Sequence, residues 1–222
     1  QVIPSFAPAW RYGGTITVAL ALTRELVRQG HEVTVMTTNI DGSGVLDTPL
    51  ECPVIMDGVE VWYFPVQTPR WYCFSWSLGR AIREQVREFD IVHIHSVFLW
   101  PTTVAAFWCR RYQVPYVVSP HGLLDRVSLR KAYAGWYVSI SSRFKKWVYL
   151  KTIGRFDLKR SNTIMLASKS EVESIRKLGI DSPVVVSPLG ADVAPCGKSV
   201  IASGWLEKYP VLDSKKIVLY MS

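Results

Sequence analysis

Short apolar strands alternate with amphipathic helices along this chain, which predicts an α/β fold with a doubly wound, mainly parallel sheet and helices on both faces. Three observations carry that expectation. Strand-like runs recur at 2–6, 32–36, 59–65, 91–95, 116–119, 163–167 and 184–187, with helical periodicity after most of them. Gly30 and Gly179 stand where helix C-terminal glycines belong. The 222 residues are 49% hydrophobic and 20% charged, so a full core can form without a disulfide or metal staple.

The elements follow in order. Residues 2–6 form the end of a strand, and Arg11-Tyr12-Gly13-Gly14 a glycine loop. A helix is expected over 15–29, with Val18, Leu22 and Leu26 on its buried face. The next strand is 32–36; residues 41–53 have the composition of a loop. After the strand at 59–65, Leu78, Ile82, Val86 and Phe89 mark a helix, and Asp90 introduces a buried strand at 91–95. A helix over 101–112 leads to the strand 116–119. A long basic and aromatic stretch comes next, helical and broken. Ser168 and Glu171 have capping-box spacing ahead of the helix that Gly179 closes. Past Pro195 the pattern stops, and 215–221 reads as a new strand. The expected organisation is a Rossmann-like domain over 1–194, then a linker and the first strand of a second domain over 195–222, with a chain trimmed at both ends.

Composition excludes several classes. Aromatic residues at 12% argue against disorder. Cys52, Cys73, Cys109 and Cys196 form no Cys-x-x-Cys pair and lack histidines at zinc spacing, so they are expected to be reduced thiols of a cytosolic protein. The first residues are expected to be a strand and not a signal peptide. Residues 91–109 carry no charged side chain, but Pro101, two histidines and two threonines make a strand, loop and core helix the better account than a membrane span. The formal charge is +8, concentrated in 126–160: ten basic residues against Asp157 give +9 there and −1 elsewhere. One basic face facing an anionic partner is expected, rather than nucleic-acid binding.

In doubly wound sheets ligands bind beyond the carboxyl ends of the strands. Three features fall there. Gly13-Gly14 precedes the first helix, where a phosphate can approach backbone N–H groups, although a plain tight turn explains the pair equally well. Ser119-Pro120-His121-Gly122 puts a histidine at a strand end, to contact a ligand or to order the loop. His93 and His95 share one strand face; His93 fits a satisfied core residue, and His95 either lines the cleft or joins the core. Two histidines without a carboxylate do not make a metal site. There is no Gly-x-Gly-x-x-Gly, no P-loop and no Gly-x-Ser-x-Gly elbow.

These residues, in this order, resemble the N-terminal, acceptor-side domain of family-4-type retaining glycosyltransferases of the GT-B fold. The resemblance rests on Ile3-Pro4 with Gly13-Gly14, Gly30-His31-Glu32-Val33-Thr34-Val35, Asp90-Ile91-Val92-His93-Ile94-His95, Pro115 to Asp125, Ala167-Ser168 with Ser170-Glu171, and Val186 to Asp192, over about residues 1–194. It implies transfer of a sugar from a nucleotide-sugar to a glycan or lipid-linked acceptor in cell-surface polysaccharide or glycolipid synthesis. By resemblance Gly13 and Gly14 approach the donor diphosphate, His121 contacts the donor sugar, and Arg11, Tyr12 and His95 line the acceptor side. No metal or other cofactor is expected. The family's donor-binding domain, with paired glutamates seven residues apart, would begin near Lys216, so residues 1–222 alone are expected to be inert.

The basic stretch has its own reading. Its aromatic face and the residues Lys131, Trp136, Arg143, Lys145, Lys146 and Trp147 suit contact with an anionic membrane on the inner face of the plasma membrane. Packing of the aromatics on the sheet, with solvated lysines, is the plainer alternative. Two other functions compete: a nucleotide-binding Rossmann module of another enzyme, and a non-catalytic membrane-surface or polyanion-binding domain.

Overall fold

The computed structural model of the chain describes residues 1–125, 128–129, 146–188 and 208–210. The chain divides into two compact units, Gln1–Leu189 and Gly190–Ser222. The expected boundary at 194, the strand at 215–221 and most of the basic stretch lie outside the described residues.

The first unit is built on an eight-stranded sheet in the order β10-β9-β8-β7-β1-β2-β6-β5. Its strands are β1 (Val2–Ser5), β2 (Thr34–Thr38), β5 (Pro53–Met56), β6 (Val59–Phe64), β7 (Val92–His95), β8 (Tyr116–Ser119), β9 (Thr163–Leu166) and β10 (Val184–Val186). All neighbours are parallel except β5 and β6. A small antiparallel pair, β3 (Ile40–Asp41) and β4 (Gly44–Val45), stands apart. The helices used below are α1 (Gly14–Arg28), α2 (Trp76–Gln85), α3 (Trp100–Tyr112), α4 (Ile153–Lys159) and α5 (Lys169–Lys177). The doubly wound, mainly parallel architecture expected from the strand–helix alternation is what the chain adopts.

Strand alternation divides the core in two. Val2 of β1 and Met36 of β2 join one cluster with Leu78 and Ile82 of α2, Val104 and Ala105 of α3 and Ile175 of α5. Their neighbours Ile3 and Val35 join another with Ile16, Ala19 and Leu20 of α1. Helix α1 therefore covers one face and α2, α3 and α5 the other. Burying each such aliphatic side chain contributes about 1.5–3 kcal/mol.

Three local expectations needed correction. The buried row of α1 is Ile16, Ala19, Leu20 and Thr23 rather than Val18, Leu22 and Leu26. Thr23 tolerates burial because its hydroxyl donates to the Ala19 carbonyl at 2.6 Å. Strand β2 starts at Thr34 rather than 32 and runs to Thr38, past the expected end at 36, because Thr37 and Thr38 pair with Tyr63 and Phe64 of β6 and with Ile3 and Ser5 of β1; Thr38 Oγ1 also donates to the Pro4 carbonyl at 2.6 Å. The supposed loop 41–53 contains the β3–β4 pair and the start of β5. Asp57 and Gly58, with φ of 52° and 79°, make the two-residue hairpin that joins β5 to β6 antiparallel. The Ser168 cap formed as expected, its hydroxyl accepting from the Glu171 N–H at 3.4 Å.

Candidate functional site

The order of strands sets the position of the site. From β1 the chain moves to β2 on one side, and from β7 to β8 on the other, so β1 and β7 flank the switch point where a crevice opens beyond the strand ends. The loop after β1 carries Arg11 to Gly14; those after β7 and β8 carry Ser96 and His121. Gly13 has φ 66° and ψ −137°, a conformation essentially reserved for glycine, and caps α1 without any side-chain bond. A Cβ built on Gly13 or Gly14 meets nothing within 4 Å. With no acid in its first turn, α1 presents its N-terminus to open space. The glycines therefore leave room for an approaching anion, and Gly13 is required in addition by its backbone conformation.

Arg11 and Tyr12 are held by the β3–β4 pair. Arg11 lies 3.7 Å from the Asp41 carboxylate, and Tyr12 donates its hydroxyl to the Gly42 carbonyl at 3.4 Å. Arg70 clasps the same turn from the other side, donating to the Gly44 carbonyl at 2.6 Å. The sequence reading missed these braces; Asp41-Gly42 between Ile40 and Val45 was the turn signal for them.

The histidines come together. His93 and His95 stack with ring centroids 4.1 Å apart, and His95 stacks on His121 at 5.3 Å. His95 Nδ1 is 3.0 Å from His121 Nε2, and His95 Nε2 is 3.0 Å from Gln1 Oε1. His93 Nε2 lies 2.7 Å from the Ser119 hydroxyl, which satisfies it as a core residue. His95 is 1% exposed, so it sits behind His121 and reaches the crevice only through it. Burial lowers all three: His93 to about 3, His121 to about 4 and His95 well below 6.5. Each is a neutral imidazole at neutral pH. His121 has φ 51°, Ser96 75° and Phe98 67°, so the ends of β7 and β8 concentrate left-handed, non-glycine backbone. Such strain persists where the surroundings over-determine it, as they do at functional sites. Gln1 was not among the expected site residues, and nothing local in the sequence ties it to His95.

Among the described residues no cluster of three or more His, Cys, Asp or Glu could hold a metal ion. No described helix is long and apolar enough to cross a membrane. Of the residues expected at a membrane, Lys131, Trp136, Arg143 and Lys145 lie outside the described residues. Lys146 does not project freely: its amine donates to the Ser128 carbonyl at 3.0 Å and lies 5.9 Å from the Phe98 ring centroid. Trp147 is 57% exposed.

A second concavity, of about 810 Å³, is flanked by α2, α3 and α4 instead of strand ends. Trp76, Trp100, Phe107, Trp108, Ile153 and Phe156 supply its apolar lining. Arg80 is paired with Glu84 and Arg110 with Asp157, while Arg83 lies over the Trp108 ring. Asp157 is buried, which pushes its carboxyl up to about 6 despite Arg110.

No curated protein matches the chain. A crystal structure of a UGT transferase from Siraitia grosvenorii in complex with UDP is similar at a TM-score of 0.46 and 14% identity, over 97% of this chain and 56% of that one. The chain thus spans little more than half the length of that protein. The model of Glycosyltransferase Family 4 matches residues 12–194, a stretch that takes in Tyr12, the glycine pair, the stacked histidines and every strand of the sheet except β1, so the chain belongs to Glycosyltransferase Family 4.

Proposed function

We propose that this chain is the acceptor-side half of a retaining glycosyltransferase that moves a sugar from a nucleotide-sugar to a glycan or lipid-linked acceptor. The observation that carries the reading is the convergence of the Gly13-Gly14 turn and His121 beyond the ends of strands at the switch point, inside a Family 4 domain. In it the N-terminus of α1 faces the donor diphosphate. His121, neutral and oriented, holds the donor sugar, and Arg11 and Tyr12 border the acceptor. Its contribution is positioning and electrostatic stabilisation of developing charge, with the leaving phosphate taking up the proton of the attacking hydroxyl. No metal is assigned a role. The test is transfer by the parent enzyme with a panel of nucleotide-sugars: His121→Ala is expected to lower kcat by about a hundredfold. Unchanged kcat would end the reading and favour a non-catalytic binding domain.

A lipid-linked acceptor and a peripheral position on an anionic, cytoplasm-facing membrane belong to the same reading. They are supported by the aromatic concavity between α2, α3 and α4, where Trp76 is 68% and Phe156 51% exposed beside basic side chains. Co-sedimentation with vesicles tests this: binding to anionic but not neutral vesicles is expected, and equal binding to both, or to neither, removes it.

A further inference from the structure

The three stacked histidines end at Gln1, and that end determines what His121 can do. A neutral imidazole has one N–H and one bare nitrogen. His95 uses both ring nitrogens inside the protein, one toward Gln1 and one toward His121. Its two bonds therefore have a fixed relation: if Nε2 donates, Nδ1 accepts. The Gln1 amide is oriented with Oε1 toward His95 Nε2, and a carbonyl oxygen only accepts. With the amide in that orientation, His95 carries its proton on Nε2 and accepts at Nδ1, and the proton between the two rings is on His121 Nε2. That leaves His121 Nδ1 bare. It has no hydrogen-bond partner among the described residues, and the side chain is half-buried at the crevice. A bare nitrogen there accepts from a hydroxyl and offers nothing to an unprotonated phosphate oxygen. Turning the amide over would place N–H at His95, reverse both links and make His121 Nδ1 a donor, the opposite preference.

We propose that Gln1 and His95 are positioning residues that lock the tautomer of His121, so that its Nδ1 accepts a hydrogen bond from a sugar hydroxyl of the bound substrate. The relay stands on the geometry; its use on a sugar rests on the function proposed above. Gln1 precedes β1 and is held there by its backbone, its amine donating to the Thr34 carbonyl and its carbonyl accepting from the Met36 N–H, bonds that a change of side chain leaves in place; the amide Nε2 is buried and has no hydrogen-bond partner among the described residues. The dependence runs through a residue with no contact to substrate. A role in folding alone would not set a proton position.

The experiment reads the imidazole nitrogens directly by long-range proton–nitrogen NMR of the 222-residue chain at neutral pH. The expected result is His95 and His121 each protonated on Nε2 alone. Gln1→Glu, whose carboxylate only accepts, keeps that pattern. Gln1→Met, similar in size but unable to bond, releases His121 into a mixture of both tautomers. Protonation of His121 on Nδ1 in the unaltered chain, or an unchanged pattern in Gln1→Met, overturns the relay. In the parent enzyme Gln1→Met is expected to lower kcat about tenfold with KM little changed, the effect of one misoriented hydrogen bond, and Gln1→Glu is expected to retain more of it. If the tautomers behave as stated but kcat does not move, the relay stands and the placement of a sugar hydroxyl at His121 is refuted.

Discussion

Replacing Gly13 and Gly14 separately by alanine distinguishes a backbone requirement from a binding requirement. Neither new Cβ touches anything within 4 Å, so sterics within the chain do not enter. Gly13 has φ 66° and ψ −137°, where a side-chain-bearing residue is strained by about 1–3 kcal/mol. For a chain of this size that lowers the melting temperature by roughly 2–12 °C. Gly14 opens α1 and has no positive φ, so alanine there is neutral or stabilising by a few tenths up to about 1 kcal/mol. Thermal unfolding of the two variants of this chain is the first assay. Donor binding by the parent enzyme is the second: Gly14→Ala should weaken the nucleotide-sugar while leaving stability intact, because only a ligand near the backbone would meet its methyl group. Equal stability of Gly13→Ala and the unaltered chain would refute the backbone argument. Undiminished donor affinity in Gly14→Ala would refute the close approach of the diphosphate.

Other outcomes follow from the buried polar groups and the helix contacts. Arg110→Met leaves the Asp157 carboxylate buried without its 2.5 Å partner and should cost about 3–5 kcal/mol in denaturant unfolding, much of it recovered when Asp157→Asn is added; no recovery would mean that Arg110 acts by packing on Phe156 alone. The folded chain holds His93, His95 and His121 below their unfolded value of 6.5, so it binds fewer protons than the unfolded chain. Their stabilisation is complete above pH 6.5 and is lost as pH falls toward 4. Asp157, raised to about 6, acts in the opposite sense, since its stability contribution is present at low pH and is lost as pH rises through 6. Three groups outweigh one, so urea unfolding should show lower stability at pH 5 than at pH 7, and the reverse order would contradict the burial of the histidines. In NMR titration His121 should stay neutral from pH 8 to 5, and a midpoint near 6.5 would place it in solvent. Finally, a Cβ on Gly154 would fall 2.0 Å from Tyr149 Cε1, so Gly154→Ala should destabilise the chain by about 1–3 kcal/mol, and neutral behaviour would mean that helix α4 sits farther from Tyr149.

The parallel sheet was legible because its signal is local. Ile91 to His95, Tyr116 to Ser119 and Thr163 to Leu166 are apolar runs of strand length bounded by turn residues, and helical periodicity lies between them. The glycine pair and His121 could be placed at strand ends for the same reason, since a loop after a strand is visible in one dimension. The antiparallel β5 was not seen, although Asp57-Gly58 marks its hairpin, because Pro53 and Cys52 gave the segment the composition of a loop. The end of β2 was misjudged because Thr37 and Thr38 look solvent-facing until the Pro4 carbonyl across the sheet is known to satisfy one of them.

What the sequence determined by itself was therefore the kind of fold, the ends of the strands where chemistry is possible, and the family those motifs resemble. The tertiary structure decided the partners. It set Gln1 beside His95, 94 residues along the chain, put Asp41 and Gly42 under Arg11 and Tyr12, turned Lys146 inward toward Ser128, and buried Asp157 against Arg110. Periodicity reports which face of an element is apolar, because that depends on neighbours within a few residues. Hydrogen-bond partners and proton positions depend on groups brought together by the crossing of strands, and no local pattern records them.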